Sequence, residues 1–196
     1  MSMSEAKKYR VQATTTTYTY VYCWIAARQA LKRAQEKQRG WFYFNMMAGV
    51  FAAFTVEAFL NHLGQGGVKD WEVFERKLGP REKLLLLGQM LHFSADQGKR
   101  PFQSLHEMLR LCDALAHGKS VTVASDLIVD NPEAESARYP EPNWKELCTL
   151  ASVSRMVEDA ELIVRDLSSK TGSRRDPFTS CGRGSSGTTL VTGNEE

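Results

Sequence analysis

The chain has 196 residues, 42% of them hydrophobic and 24% charged, which suits one compact domain with a sizeable core and excludes wholesale disorder. A formal net charge of +2 supplies no global field to capture nucleic acid or an anionic membrane, so any RNA contact must be local. The densest apolar stretch, Trp41 to Leu63, is interrupted by Asn45, Gly49, Thr55, Glu57, Asn61 and His62. Neither it nor the Lys7, Lys8, Arg10 start reads as a membrane span or a secretion signal, and a soluble cytoplasmic protein without membrane contact is expected.

Taken in chain order, the periodicity predicts helices almost throughout. Thr14 to Gln38 forms a first helix, with Tyr18, Val21, Tyr22, Ile25 and Leu31 at three- and four-residue steps. Trp41 to Leu63 is a second, apolar almost all round and therefore central, with Gly64, Gly66 and Gly67 as its stop. A short helix over Asp70 to Leu78 follows, then one from Arg81 to Phe93, opened by Pro80. The next runs from Pro101 to His117, with Gly118 terminating it. Residues 119–142 hold Val121-Thr122-Val123, an acidic stretch, and Pro132, Pro140 and Pro142, and read as a long excursion. Asn143 with Glu146 resembles a capping box for a last helix to Leu167. From there the chain is rich in Gly, Ser, Thr and Arg, as a disordered tail would be. These readings give an all-α bundle over residues 1–169 and a tail over 170–196.

Cys23, Cys112, Cys148 and Cys181 lack metal-type pairing and read as reduced, mostly buried thiols, with no metal or cofactor expected. His62 and His92 read as a helix-end residue and a border residue of a packed helix. The aromatic run Trp41, Phe42, Tyr43, Phe44, Phe51, Phe54 and Phe59 reads as core rather than a base-stacking surface. Arg81, Glu82 and Lys83 read as solvated charges at a helix start. Arg174, Arg175 and Arg183 read by default as linker charges, with weak attraction to RNA as the alternative.

The helix ending at His117 carries the candidate chemistry. Phe102, Leu105, Leu109, Cys112 and Ala116 form one stripe, flanked by Met108 and Leu115, that the pattern assigns to the core. On another face His106, Arg110, Asp113 and His117 follow at steps of four, three and four. A guanidinium that binds phosphate, a carboxylate that orients it, and imidazoles that move protons near neutral pH are the ingredients of phosphodiester cleavage without a metal. The same pattern is also that of a solvated helix face whose last imidazole interacts with the helix dipole.

The run Leu109 to Lys119, LRLCDALAHGK, resembles the signature helix of the HEPN superfamily. Members are all-α, frequently dimeric, and include metal-independent RNases of bacterial toxin–antitoxin and phage-defence systems. Their motif is an Arg, an adjacent polar residue and a His, with four to six residues between Arg and His. Arg110 and His117 have six between them, and Glu57-Ala58-Phe59-Leu60-Asn61 is similar to the acidic-plus-Asn element of many members. The resemblance implies His117 as general base or acid, Arg110 as the clamp on the phosphorane charge, Asp113 positioning one of them, and His106 and Lys119 contacting RNA. It implies a homodimer that brings two motif helices together, RNA as substrate, and a cognate antitoxin or other protein as partner. Cys112 occupies the commonest position of the motif arginine. Either Arg110 serves from two residues upstream, or the chain is a catalytically inactive helical module binding RNA, a nucleotide or a protein.

Overall fold

Helix α2 (Trp41–Gly67) is the axis of the fold. The computed structural model describes residues 8–37, 39–124, 126, 128, 130 and 140–191. Around α2 lie α1 (Thr19–Gln35), α3 (Trp71–Glu75), α4 (Pro80–Met90), α5 (Phe102–Ala116), a 3-10 helix (Asn143–Cys148) and α6 (Leu150–Lys170). Strands β1 (Lys8–Thr17) and β2 (Gly182–Val191) pair antiparallel, from Lys8 opposite Val191 to Thr17 opposite Gly182.

One face of α2 is nearly stripped of volume. Ala48, Gly49, Ala52 and Ala53 are buried there beside Val56 and Leu60, so neighbouring backbones approach closely and larger side chains from them fill the space. A β-carbon at Gly49 would lie 2.6 Å from Leu111 of α5, and one at Gly64 would overlap the ring of Trp71 at the start of α3. This explains why α2 runs through the glycines expected to stop it. Gly64 makes room for Trp71, and the helix continues to Gly67. By length and mean hydropathy (1.4) α2 could cross a membrane, and half of that stretch is buried within the fold.

Polar ties fix the other helices. Buried Asn45 donates from Nδ2 to the Cys148 carbonyl at 2.9 Å, anchoring the 3-10 helix. The fully buried Asp159 carboxylate of α6 accepts from Arg100 through Nε (2.9 Å) and a terminal nitrogen (2.7 Å), and from the Ser104 hydroxyl. That satisfies a charge that burial would otherwise penalise heavily. Through it α6 grips the first turn of α5.

The all-α reading is corrected by the two-stranded sheet. Thr14–Thr17 belong to β1, not to the first helix, which begins at Thr19; Gln38 lies outside the described residues. Within α1 the buried residues are Tyr20, Val21, Ala27, Ala30 and Ala34, whereas Tyr22 and Ile25 are exposed. The short helix spans only Trp71–Glu75, and α4 ends at Met90 rather than Phe93. Asn143 opens the 3-10 helix, and α6 is capped instead by Thr149, whose hydroxyl accepts from the Ser152 N–H. Val121-Thr122-Val123 forms no strand. Pro132, with much of the 119–142 excursion, lies outside the described residues, as do residues 1–7 and 192–196.

Over the described residues 171–191 the expected disordered tail is overturned by packing. Phe178 is buried and stacks on Trp24 of α1 at 4.3 Å between centroids. Arg165 of α6 sits over Phe178 while binding Glu161 and Asp176, and the Tyr20 hydroxyl donates to the Pro177 carbonyl at 2.9 Å. The Tyr18 N–H then donates to the Cys181 carbonyl at 2.8 Å, which sets β2 beside β1. Phe178→Ala is expected to cost about 3 kcal/mol, as buried Phe truncations do. Thermal unfolding should show the loss, and hydrogen exchange should show loss of protection in the ribbon with the helical signal kept.

Candidate functional site

The rotation of α5 about its own axis decides what its polar residues face. Phe102, Leu105, Met108 and Leu111 are buried against α2 and α6. This corrects the predicted stripe by one position around the helix. Leu109 and Cys112 are only half-buried and Ala116 is exposed. They form the apolar wall of a groove instead of part of the core.

The groove has a volume of about 470 Å³. His106, Arg110, Asp113 and His117 line it from α5, Pro80 and Arg81 from α4, and Glu57 from α2. All four polar residues of the α5 face therefore share one solvent-open surface. Lys119 is exposed but is not among the lining residues. His117 ends the helix, its backbone N–H donating to the Asp113 carbonyl at 2.9 Å. A β-carbon at Gly118 would lie 2.5 Å from the Ala114 carbonyl oxygen, so the chain leaves α5 by a path that glycine accommodates without strain.

The charges are unevenly matched. Glu57 accepts from Lys83 Nζ at 3.0 Å, and the Lys83 side chain is almost fully buried. Lys83 is thus a partnered charge beneath the groove and not the solvated one its sequence position suggested. With Glu57 paired, Arg81 and Arg110 face a single carboxylate, Asp113. Among the described residues Arg81, His106, Arg110, Asp113 and His117 make no side-chain hydrogen bond or ion pair. A guanidinium presents five donors in a fixed fork that matches phosphate or carboxylate. The groove thus presents unsatisfied donors to anything anionic that enters.

Arg81, which the sequence marks only as a solvated charge at a helix start, is a groove residue. Pro80 in the first turn of α4 was legible as a helix start. No local pattern signalled that this start would abut α5. Cys112 is held as a neutral thiol, its pKa pushed up to about 11 by burial and, less strongly, by the Glu57 carboxylate. It contributes neither charge nor nucleophile at neutral pH.

The other candidates lie elsewhere. His62 sits within α2, not at its end, with its ring 5.3 Å from those of Tyr18 and Tyr20. Burial, and then Arg183, lower its pKa. His92 lies just beyond α4 with a positive φ of 51°. Of the α2 aromatics only Phe59 is buried, while Trp41, Tyr43 and Phe54 are exposed. The four cysteines are free, but only Cys148 is buried. Among the described residues no three His, Cys, Asp or Glu side chains converge as a metal-ligand set. Comparison with family models, curated proteins and solved structures finds no match.

The Cys112 environment has a direct chemical consequence. Alkylation by iodoacetamide should be slow at pH 8, where the thiolate is scarce, and should rise with a midpoint near pH 11. A midpoint near the ordinary thiol value would contradict it.

Proposed function

We propose that the groove binds and cleaves RNA without a metal, in the manner of the HEPN-type endoribonucleases that its α5 motif resembles. The observation that carries the reading is the convergence of Arg81, Arg110, Asp113 and His117 on one open groove, without side-chain partners among the described residues. In the reaction the ribose 2′-oxygen attacks the adjacent phosphorus and the bond to the 5′-oxygen breaks. The products are a 2′,3′-cyclic phosphate and a 5′-hydroxyl. His117 takes the proton from the 2′-hydroxyl or delivers one to the leaving oxygen. Arg110 neutralises the charge that builds on the phosphorane, and Asp113 orients one of these two groups. Arg81, facing α5 from α4, supplies a second guanidinium where Cys112 occupies the motif's usual arginine position.

His106 and His117 are eleven residues apart, about 16 Å along the helix axis at about 1.5 Å per residue. They do not reach the same phosphate, so His106 contacts a neighbouring nucleotide, and the second proton-transfer group comes from a second copy of the chain. Support for self-association is an exposed apolar stripe on α2. Tyr43, Met47 and Phe54, with half-buried Val50, continue at helical spacing to Glu57 at the groove. Phe54→Glu is expected to lower the sedimentation mass to that of one chain and to reduce cleavage.

The decisive assay is RNA cleavage in the presence of a chelator. His117→Ala and Arg110→Ala should each lower the rate at least about 100-fold, in the range of a lost acid–base or charge-stabilising group. Arg81→Ala should have a smaller effect. Full activity in both of the first two variants would remove the assigned roles. RNA binding with no cleavage by the wild type would leave the inactive binding module. A toxin–antitoxin or phage-defence role further predicts growth arrest on overexpression in bacterial cytoplasm, relieved by His117→Ala.

A further inference from the structure

The β1–β2 ribbon has no part in the groove and makes almost no contact with the helices. Each strand has ten residues, so it is about 33 Å long at about 3.3 Å per residue. Every β1 residue is exposed. A lone two-stranded ribbon is marginal in water, and its own packing does not explain it.

Alternation sorts its side chains into two unlike faces. Lys8, Arg10, Gln12 and Thr14 point to one side, and the register places Ser185 opposite Thr14 and Arg183 opposite Thr16 on that same side. Tyr9, Val11 and Leu190 share the other side near the free end. The twenty ribbon residues include three cations and no Asp or Glu. All three cations fall on the first face, among hydroxyl and amide side chains. A nearly neutral chain has thus concentrated positive charge and hydrogen-bond donors on one side of an extended arm.

We infer that this face of the ribbon is a second RNA-binding surface, one that holds the sugar–phosphate backbone of a single strand by charge and hydrogen bonding. An elongated row of cations and donors suits a linear polyanion better than a small anion, and the donors suit phosphate oxygens and 2′-hydroxyls. Tyr9, Val11 and Leu190 lie on the opposite side of the ribbon. RNA as the occupant rests on the reading of the groove, and the arm would hold substrate independently of cleavage.

The test is the affinity of the full chain for a labelled single-stranded RNA oligonucleotide, measured against salt concentration. The triple variant Lys8→Gln, Arg10→Gln, Arg183→Gln should bind about tenfold more weakly at low salt. Its slope of log affinity against log salt should be shallower by about 2, from about 0.7 per single-strand phosphate contact. Val11→Thr, on the opposite face, should leave both unchanged, and all variants should unfold at the wild-type temperature. Cleavage of a dinucleotide, too short to reach the arm, should be unaffected in the triple variant. A loss of dinucleotide cleavage in His117→Ala reports separately on the groove. Unchanged RNA affinity and slope in the triple variant would overturn the inference. So would a loss seen only with duplex DNA, or a change in sedimentation without a change in RNA affinity.

Discussion

The close approach of Leu111 to Gly49 sets the rest of the arrangement. With no side chain at Gly49, α5 lies directly on α2 and seats Leu111 in the space. On a helix with 3.6 residues per turn, fixing one contact fixes every other residue's direction. Once Leu111 and Met108 point inward, Arg110, Asp113 and His117 turn toward α4 and water. The Arg100–Asp159 pair holds the other end of α5 against α6, so the helix is held at both its middle and its start. The groove is a product of packing on the other side of α5, where Glu107 pairs with Arg155 of α6.

The same packing explains the electrostatics. Glu57 sits three positions beyond Phe54 on α2, at the edge of the apolar stripe, and its carboxylate is occupied by the buried Lys83. Removing one partner of such a pair would strand a charge, which makes it a fixed feature of the groove's base. The guanidiniums of Arg81 and Arg110, without an ion pair among the described residues, remain above it. An anion entering the groove meets donors that the protein has not already satisfied.

Much of the helical layout was legible in the sequence because it rests on local chemistry. Pro80 opens α4, Gly118 follows the end of α5, and α2 is too apolar to lie at the surface on all sides. The four-residue face of α5 was also legible, because helical spacing alone brings His106, Arg110, Asp113 and His117 together. Features that depend on distant partners were not. Gly64 looked like a helix stop until Trp71 occupied its space. Leu109 and Cys112 looked like core until Gly49 drew Leu111 inward. Arg81 is exposed, as a solvated charge is, but nothing near it in the sequence announces that it lines the groove with α5. The ribbon was invisible for another reason. Strands exposed on both faces lack apolar alternation, and GRGSSGTTLV has the composition of a linker. What holds it in place is Phe178 on Trp24, a contact between the two ends of the chain.

The most direct test of the central claim uses the four histidines as reporters. Imidazole signals can be followed by NMR while an uncleavable 2′-deoxy-substituted RNA strand is added to the wild-type protein. The account predicts that His106 and His117 shift together and saturably, that His92 stays still, and that Arg110→Ala abolishes the His117 response. Unmoved His106 and His117 signals at saturating strand, or an unchanged His117 response in Arg110→Ala, would contradict it.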